Sequence, residues 1–566
     1  MGETNVTRPH RRPTITVTPT IRGGRDTGRR LLALLTLTAL PLLLTACPGE
    51  RTAPQRGGSV TVVELADIDK PMPLISESSL DNQFQGFMFR PLLQPWWEDG
   101  EIHYLTHEEN PMALAHSWEY VGADSSAIRF HLVADALWSD GEPVTAHDAA
   151  WHTEMRGDPR TASPRQDYNE NIVSVEAEDD HTLLIQFTHR YPEMLFHTSG
   201  PISPRHPFEG ADPAGLRAHP VMTDPAGNLP VSGPFMISRW QRGQQIVLVP
   251  NPNFSPQPRL ERIVFRIIVE ETGRMVELQT GRADMVSPIP FDRIEGLQRE
   301  VADLRMERRE GRFYDYIAYN PARYEVFDDP DIRRALGLAV DHEGLISALN
   351  MDEYARPAGG PYSPIFQDLY DPEEQAPLPY DPEEALRLLE EAGFRPGPGG
   401  VLLRNNRPLR FTLTTNAGNQ RRLDAAQIIQ QQWRRIGVDM RIQTLESNTF
   451  FDRLTRRDLQ AALGGWGVGL SPDLTGLWAP GVPFNYTGFE DPRVTELFEQ
   501  ALAQPTRDAA APYWREAASL IVAAQPYTWL YYMDEVVGVR DRLRGTTINT
   551  LSTYQNLWEW WVTDAD

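Results

Sequence analysis

Residues 409–466 constrain the fold more than any other part of the sequence. Leu409, Phe411 and Leu413 alternate with the period of a half-buried strand. Ala425, Ile429, Trp433 and Ile436 then recur on one helical face, and after Gly437 the alternation returns at Val438, Met440 and Ile442. Phe451 and Leu454 suit a short helix, with Leu459–Leu463 as the next strand. Strands alternating with helices that can cover them predict an open α/β sheet. In such sheets the carboxyl ends of the strands face the ligand crevice, which marks Thr415-Asn416 and Gly464-Gly465-Trp466 as candidate contact positions.

The same devices recur along the chain. Ile128, Phe130 and Leu132 alternate with Arg129 and His131, Ser139–Glu142 supplies turn chemistry, and Thr145 can cap a helix that carries Asp148 in its first turn. Ile172–Glu176 and Thr182–Phe187 flank a polar turn and predict a β-hairpin. Asp329-Pro330, Asp381-Pro382 and Asp491-Pro492 each start a helix, with Asp as N-cap and Pro at a position whose missing N–H costs nothing.

A chain of 566 residues is too long for one hydrophobic core. The formal net charge is −24; residues 1–46 contribute +5, from seven Arg against Glu3 and Asp26, which leaves −29 from Cys47 onward. Such a body lacks the clustered cations that nucleic acid binding requires, so no nucleic acid partner is expected. The single cysteine, Cys47, excludes intramolecular disulfides and Cys-based zinc sites. It follows Arg29-Arg30 and an apolar run, residues 31–46, that is shorter than the roughly 20 residues of a spanning helix and reads as a signal sequence.

Several stretches resemble the family 5 extracellular solute-binding proteins, the peptide, dipeptide and nickel receptors of ABC importers. They include L-A-x-S-W at 114–118, R-F-x-L at 129–132 and W-S-D-G-x-P-V-T-A-x-D at 138–148, and similar words run from about Gly57 to the C-terminus. Leu44-Thr45-Ala46-Cys47 likewise resembles a lipobox, whose cysteine carries the lipid anchor. The resemblance implies an α/β, two-lobed periplasmic-binding-protein type II fold with an extra subdomain on the first lobe. Its expected layout is a lipoprotein signal peptide at 1–46 and a tether at 47–58. Domain I takes 59–95, 229–311 and 525–566; domain II, the inserted subdomain, takes 96–228; and domain III, the second ligand-binding lobe, takes 312–524. It also implies a lipid-anchored monomer on the outer face of the cytoplasmic membrane or in the periplasm, which captures oligopeptides and delivers them to permease and ATPase subunits. Oligosaccharides, nickel chelates and other polar solutes are the alternative ligands, and a lipoprotein sensor or a secreted hydrolase the alternative classes.

The residues point to no catalysis, metal or cofactor. Val231-Ser232-Gly233 lacks the first glycine of a nucleophile elbow, His107-Glu108 and His342-Glu343 lack the second histidine of a zinc-hydrolase helix, and no phosphate-binding G-K-S/T loop is present. By resemblance, Glu64 to Asp69 follow the first strand into a loop facing the cleft, so Glu64 is a candidate contact. Gly464 to Asp473 stands where the family places a G-W followed by an aspartate that captures the peptide ammonium. Trp466 matches the tryptophan, and Gly469 replaces the aspartate. Asp473 is then the candidate counter-ion, with capping of a turn near Leu474 as its structural alternative. Trp466 is the candidate flat wall for ligand, with core packing as its alternative.

Overall fold

The computed structural model describes residues 56–563 except Glu77, Asp99 and the side chain of Thr223. The expected signal sequence, the Cys47 anchor and most of the tether lie outside these residues. Among those described, eleven strands form one mixed sheet. In chain order they are β1 (Ser59–Glu64), β2 (Phe235–Gln241), β3 (Gln245–Pro250), β4 (Arg262–Ile267), β5 (Met285–Val286), β6 (Leu304–Tyr319), β7 (Ala355–Pro357), β8 (Arg410–Asn416), β9 (Asp439–Leu445), β10 (Ala461–Gly467) and β11 (Tyr527–Arg540). Across the sheet the order is β9-β8-β10-β6-β11-β5-β1-β4-β3-β2, with β7 on β11.

β6 and β11 join the two halves. Leu304–Arg309 pairs antiparallel with Glu535–Arg540, and Phe313–Ala318 with Tyr527–Met533; between these ladders the register breaks at Glu310–Arg312. The second half shows the predicted crossovers: β8 is parallel to both β9 and β10, and helix Gln420–Arg435 covers one face. Period-two alternation along β6 sends Ile317 and Tyr319 into one core with Trp433, and Tyr314, Tyr316 and Ala318 into another with Trp514. Trp433 Nε1 donates to Leu336 O at 2.9 Å, which satisfies the one polar atom that this indole takes into the core.

The first half carries an insertion. A four-stranded antiparallel sheet, with strands Ala115–Val121, Ala127–Leu132, Thr182–Phe187 and Ile172–Asp179, includes the expected hairpin. Its inward residues Ile128 and Phe130, with Trp138 of the following turn, share one continuous core with Val60 and Phe265 of the main sheet, so the insertion is a subdomain of the first lobe. Helix Ala146–Gly157 starts as expected, with Thr145 and Asp148 forming a capping box in which Asp148 Oδ2 accepts the Thr145 N–H at 2.9 Å. The three Asp-Pro starts are present, each aspartate accepting a backbone N–H in the first turn.

The short helix expected for Phe451 and Leu454 is present. Helix Ser447–Thr455 buries Phe450 and Leu454, four apart on one face, whereas Phe451 lies about 100° further round and is 44% exposed. Among the described residues no helix is long and apolar enough to cross a membrane.

At the break in the β6–β11 ladder the two strands approach closely. A Cβ built on Gly311 would lie 1.5 Å from Met533 O, so the two strands approach too closely there for any side chain. Gly311→Ala should therefore lower the unfolding free energy by about 2 kcal/mol or more, as overpacking against backbone does. Urea titration would show it as a lower midpoint; an unchanged midpoint would mean that the strands separate there at no cost.

Candidate functional site

A cavity of about 180 Å³ opens where the chain leaving β10 meets the inserted subdomain. Leu470 lines it from the second half of the protein; Tyr104, His152, Arg156, Arg165 and Tyr168 line it from the first. Helix Ala146–Gly157 places His152 and Arg156 four residues apart on one face. Arg156 is 7% exposed, and its Nε donates to Asn169 Oδ1 at 2.6 Å and its Nη1 to His197 O at 2.7 Å. Its Nη2 is buried with no hydrogen-bond partner, while the guanidinium carbon lies 5.7 Å from the Tyr168 ring centre. Desolvation pushes the Arg156 pKa down to about 10, which leaves it cationic at neutral pH.

The cavity histidines are neutral. Burial, followed by repulsion from Arg156, holds His152 well below its ordinary value and His197 at about 3. The Ser203 N–H donates to His152 Nδ1 at 3.3 Å, so the proton of the neutral ring resides on Nε2. His197 stacks on Tyr168 with centroids 4.4 Å apart, and its Nδ1 is 3.0 Å from the Tyr191 hydroxyl.

Asn416 and Gly465 converge on a different feature. Asp315 on β6 is 0% exposed and accepts from Arg421 Nη1 at 2.6 Å, Arg422 Nη2 at 3.0 Å and the Tyr531 hydroxyl at 3.0 Å. Arg422 Nη1 also donates to Asn416 Oδ1 at 3.0 Å. Burial alone would raise the Asp315 pKa; the two guanidinium groups outweigh it and hold the carboxyl below its ordinary value. Both arginines lie in the first turn of helix Gln420–Arg435, where the helix dipole disfavours cations, so Asp315 also offsets that local cost. A Cβ on Gly465 would sit 2.2 Å from Asp315 Oδ1 and 2.3 Å from Arg422 Nη2, so this glycine leaves room for the ion pair.

The other expected residues lie elsewhere. Trp466 is half-buried and stacks on Tyr486 at 5.2 Å, with the Phe484 edge at 5.5 Å. Asp473 Oδ1 accepts the N–H and hydroxyl of Thr475, the first residue of a short helix, and burial raises its pKa. Glu64, at the end of β1, is 8% exposed and accepts the Tyr554 hydroxyl. Burial lifts its pKa to about 7, and nearby Glu535, itself 3.5 Å from Arg309, adds to the rise. None of these five residues lines the 180 Å³ cavity. Its charged lining was missed in the sequence because Arg156 near a helix C-terminus reads as an ordinary solvated cation. Among the described residues, no three His, Cys, Asp or Glu side chains form a metal site.

One sheet spans both halves on two long strands, and a cavity is lined from both. The model for bacterial extracellular solute-binding proteins, family 5 (middle), matches residues 111–487, and the chain belongs to this family. The oligopeptide-binding protein AppA of Bacillus subtilis (strain 168) is 24% identical over 559 residues, covering 94% of this chain and 98% of AppA. The solved structure of AppA from Bacillus subtilis with a nonapeptide aligns with a TM-score of 0.76 at 22% identity, covering 90% of this chain and 100% of that one. NikZ from Campylobacter jejuni in complex with Ni(L-His) aligns with a TM-score of 0.75 at 21% identity, covering 89% and 99%. The folds are shared, two-lobed and α/β.

Two substitutions test the electrostatics. Asp315→Asn leaves two largely buried guanidinium groups without their acid and should cost about 3 kcal/mol of stability by chemical denaturation; a loss under about 1 kcal/mol would show that solvent screens the pair. Glu64 has the opposite pH sign. Its folded pKa is raised, so its contribution is full below the ordinary value of 4.5 and is lost as pH rises through about 7. Glu64→Gln imitates the protonated form and keeps the acceptor for Tyr554. The variant should match wild type near pH 4.5 and exceed it by about 1–3 kcal/mol at pH 8; equal stability at pH 8 would contradict the shift.

Proposed function

We propose that this protein is the receptor of an ABC importer, which captures oligopeptides between its lobes and delivers them to a permease served by a separate ATPase. The observation that carries this reading is the placement of Leu470 opposite the cavity residues of the inserted subdomain. A ligand that touches both sides stabilises the closed state over the open one, and that differential contact drives closure without chemistry. Family membership and the nonapeptide in the AppA structure support peptides as the ligand class.

The proposed lobes are 59–95, 229–311 and 525–566 for domain I, 96–228 for domain II and 312–524 for domain III; because Tyr527–Tyr532 pack in the second-half cores, the proposed hinge is the register break further along β11 and the facing part of β6. Trp466, packed against Tyr486, and Asp473 are proposed to meet ligand from domain III. Asn416 and Gly465 support that face through the Asp315 ion pair, and Glu64 approaches from domain I. The protein acts as a monomer tethered through Cys47 outside the cytoplasmic membrane.

A thermal-shift screen with tripeptides, Ni(L-His) and maltotriose tests the ligand class. A ligand at 100 times its Kd stabilises by about 2.7 kcal/mol, so binding is readily seen. Stabilisation by tripeptides supports the proposal; stabilisation by maltotriose alone would replace peptides with sugars. The anchor has its own test. Cys47→Ser should move the protein from the membrane fraction to the soluble one or leave the signal sequence uncleaved, and lipid incorporation by the variant would exclude Cys47 as its site.

A further inference from the structure

The cavity has a chemical bias that reaches beyond its role as a receptor cleft. Its lining contains two guanidinium groups, Arg156 and Arg165, and no Asp or Glu. Arg165 is held by carbonyl acceptors, Pro73 O at 3.4 Å and Ser76 O at 3.5 Å, and by Asn82 Oδ1 at 2.5 Å. Arg156 has an amide and a carbonyl as its partners, with Nη2 buried and unpaired. Asp167 acts on Arg156 through space, but it is exposed and makes no ion pair with it. His152 adds a further donor, because Ser203 takes its Nδ1 and leaves the proton on Nε2.

We infer that this cavity is a carboxylate subsite, in which Arg156 and Arg165 hold the anionic end of a ligand whose apolar part packs against Tyr168, Phe196 and Leu470. The inference rests on the receptor reading and assigns the polarity of its site. A buried guanidinium without an acid is costly, and a carboxylate in the cavity that Arg156 lines supplies the missing charge. An ammonium would meet two like charges there. The volume of about 180 Å³ accommodates a carboxylate with one small ring or side chain, not a whole oligopeptide. Two sources share that chemistry: a free organic acid, or the C-terminus of a peptide whose remainder lies along the cleft.

Matched pairs test it. Calorimetry on the full chain in detergent would compare phenylacetate with phenylacetamide, Ala-Ala-Phe with its C-terminal amide, and maltotriose. An acid should bind about tenfold or more tightly than its own amide, the range for a lost charged hydrogen bond. In Arg156→Gln that preference should fall to within about twofold. Arg165→Gln, at a half-buried position, should reduce it as well, and serves if Arg156→Gln does not fold. Preference for phenylacetate identifies a free acid and preference for Ala-Ala-Phe a peptide C-terminus; either supports the inference. Equal binding of acid and amide, or binding of maltotriose alone, would overturn it while leaving the receptor reading intact. No binding by any probe to protein shown folded by circular dichroism would count against both.

Discussion

The rest of the structure depends on the ladder between β6 and β11. Two strands carry one sheet across both halves of the protein; their register shifts at Asp315/Tyr316, and their pairing is interrupted at Glu310–Arg312. Gly311 fits there because Met533 O occupies the space of a Cβ. The ladders on either side are anchored in separate cores: Val539 belongs to the core shared with the inserted subdomain, and Ile317 and Tyr316 to the two cores of the second half. Bending at such a break disturbs few backbone hydrogen bonds, whereas bending elsewhere would open a packed core.

Charge is distributed in keeping with that division. In the second half Asp315 is paired with two arginines and a tyrosine, a satisfied network that fixes the crevice ends of β8 and β10. Near the break, Glu64 and Glu535 lie close together beside Arg309, so that charge is more finely balanced. In the cavity the balance is absent, since Arg156 has no acid partner among the described residues. The satisfied network and the unsatisfied pocket thus differ in kind, and only the pocket leaves a charge for ligand to pair.

Much of the fold is legible in the sequence because its signals are local. Asp-Pro helix starts, the strand periods of residues 409–463 and the hairpin at 172–187 each depend on neighbours a few residues apart. The short helix expected for Phe451 and Leu454 is present, and of its two adjacent phenylalanines only Phe450 is buried, because neighbours on a helix cannot both face the core. The Asp315 network was beyond local patterns altogether: its arginines lie 106 and 107 residues away, and Gly465 takes part by lacking a side chain. One sign was available, a single acid in the apolar strand Tyr314-Asp315-Tyr316-Ile317, which requires a buried partner.

The central claim is that ligand closes two lobes about the β6–β11 break. Small-angle scattering of the purified protein, with and without a saturating ligand found by thermal shift, measures this most directly. A smaller radius of gyration on binding, with a stiffer β6–β11 joint or a crosslinked pair of lobes abolishing the change, is the predicted result. An identical scattering profile at saturation, starting from an open apo state, would contradict the account and leave the cavity as a site in a rigid body.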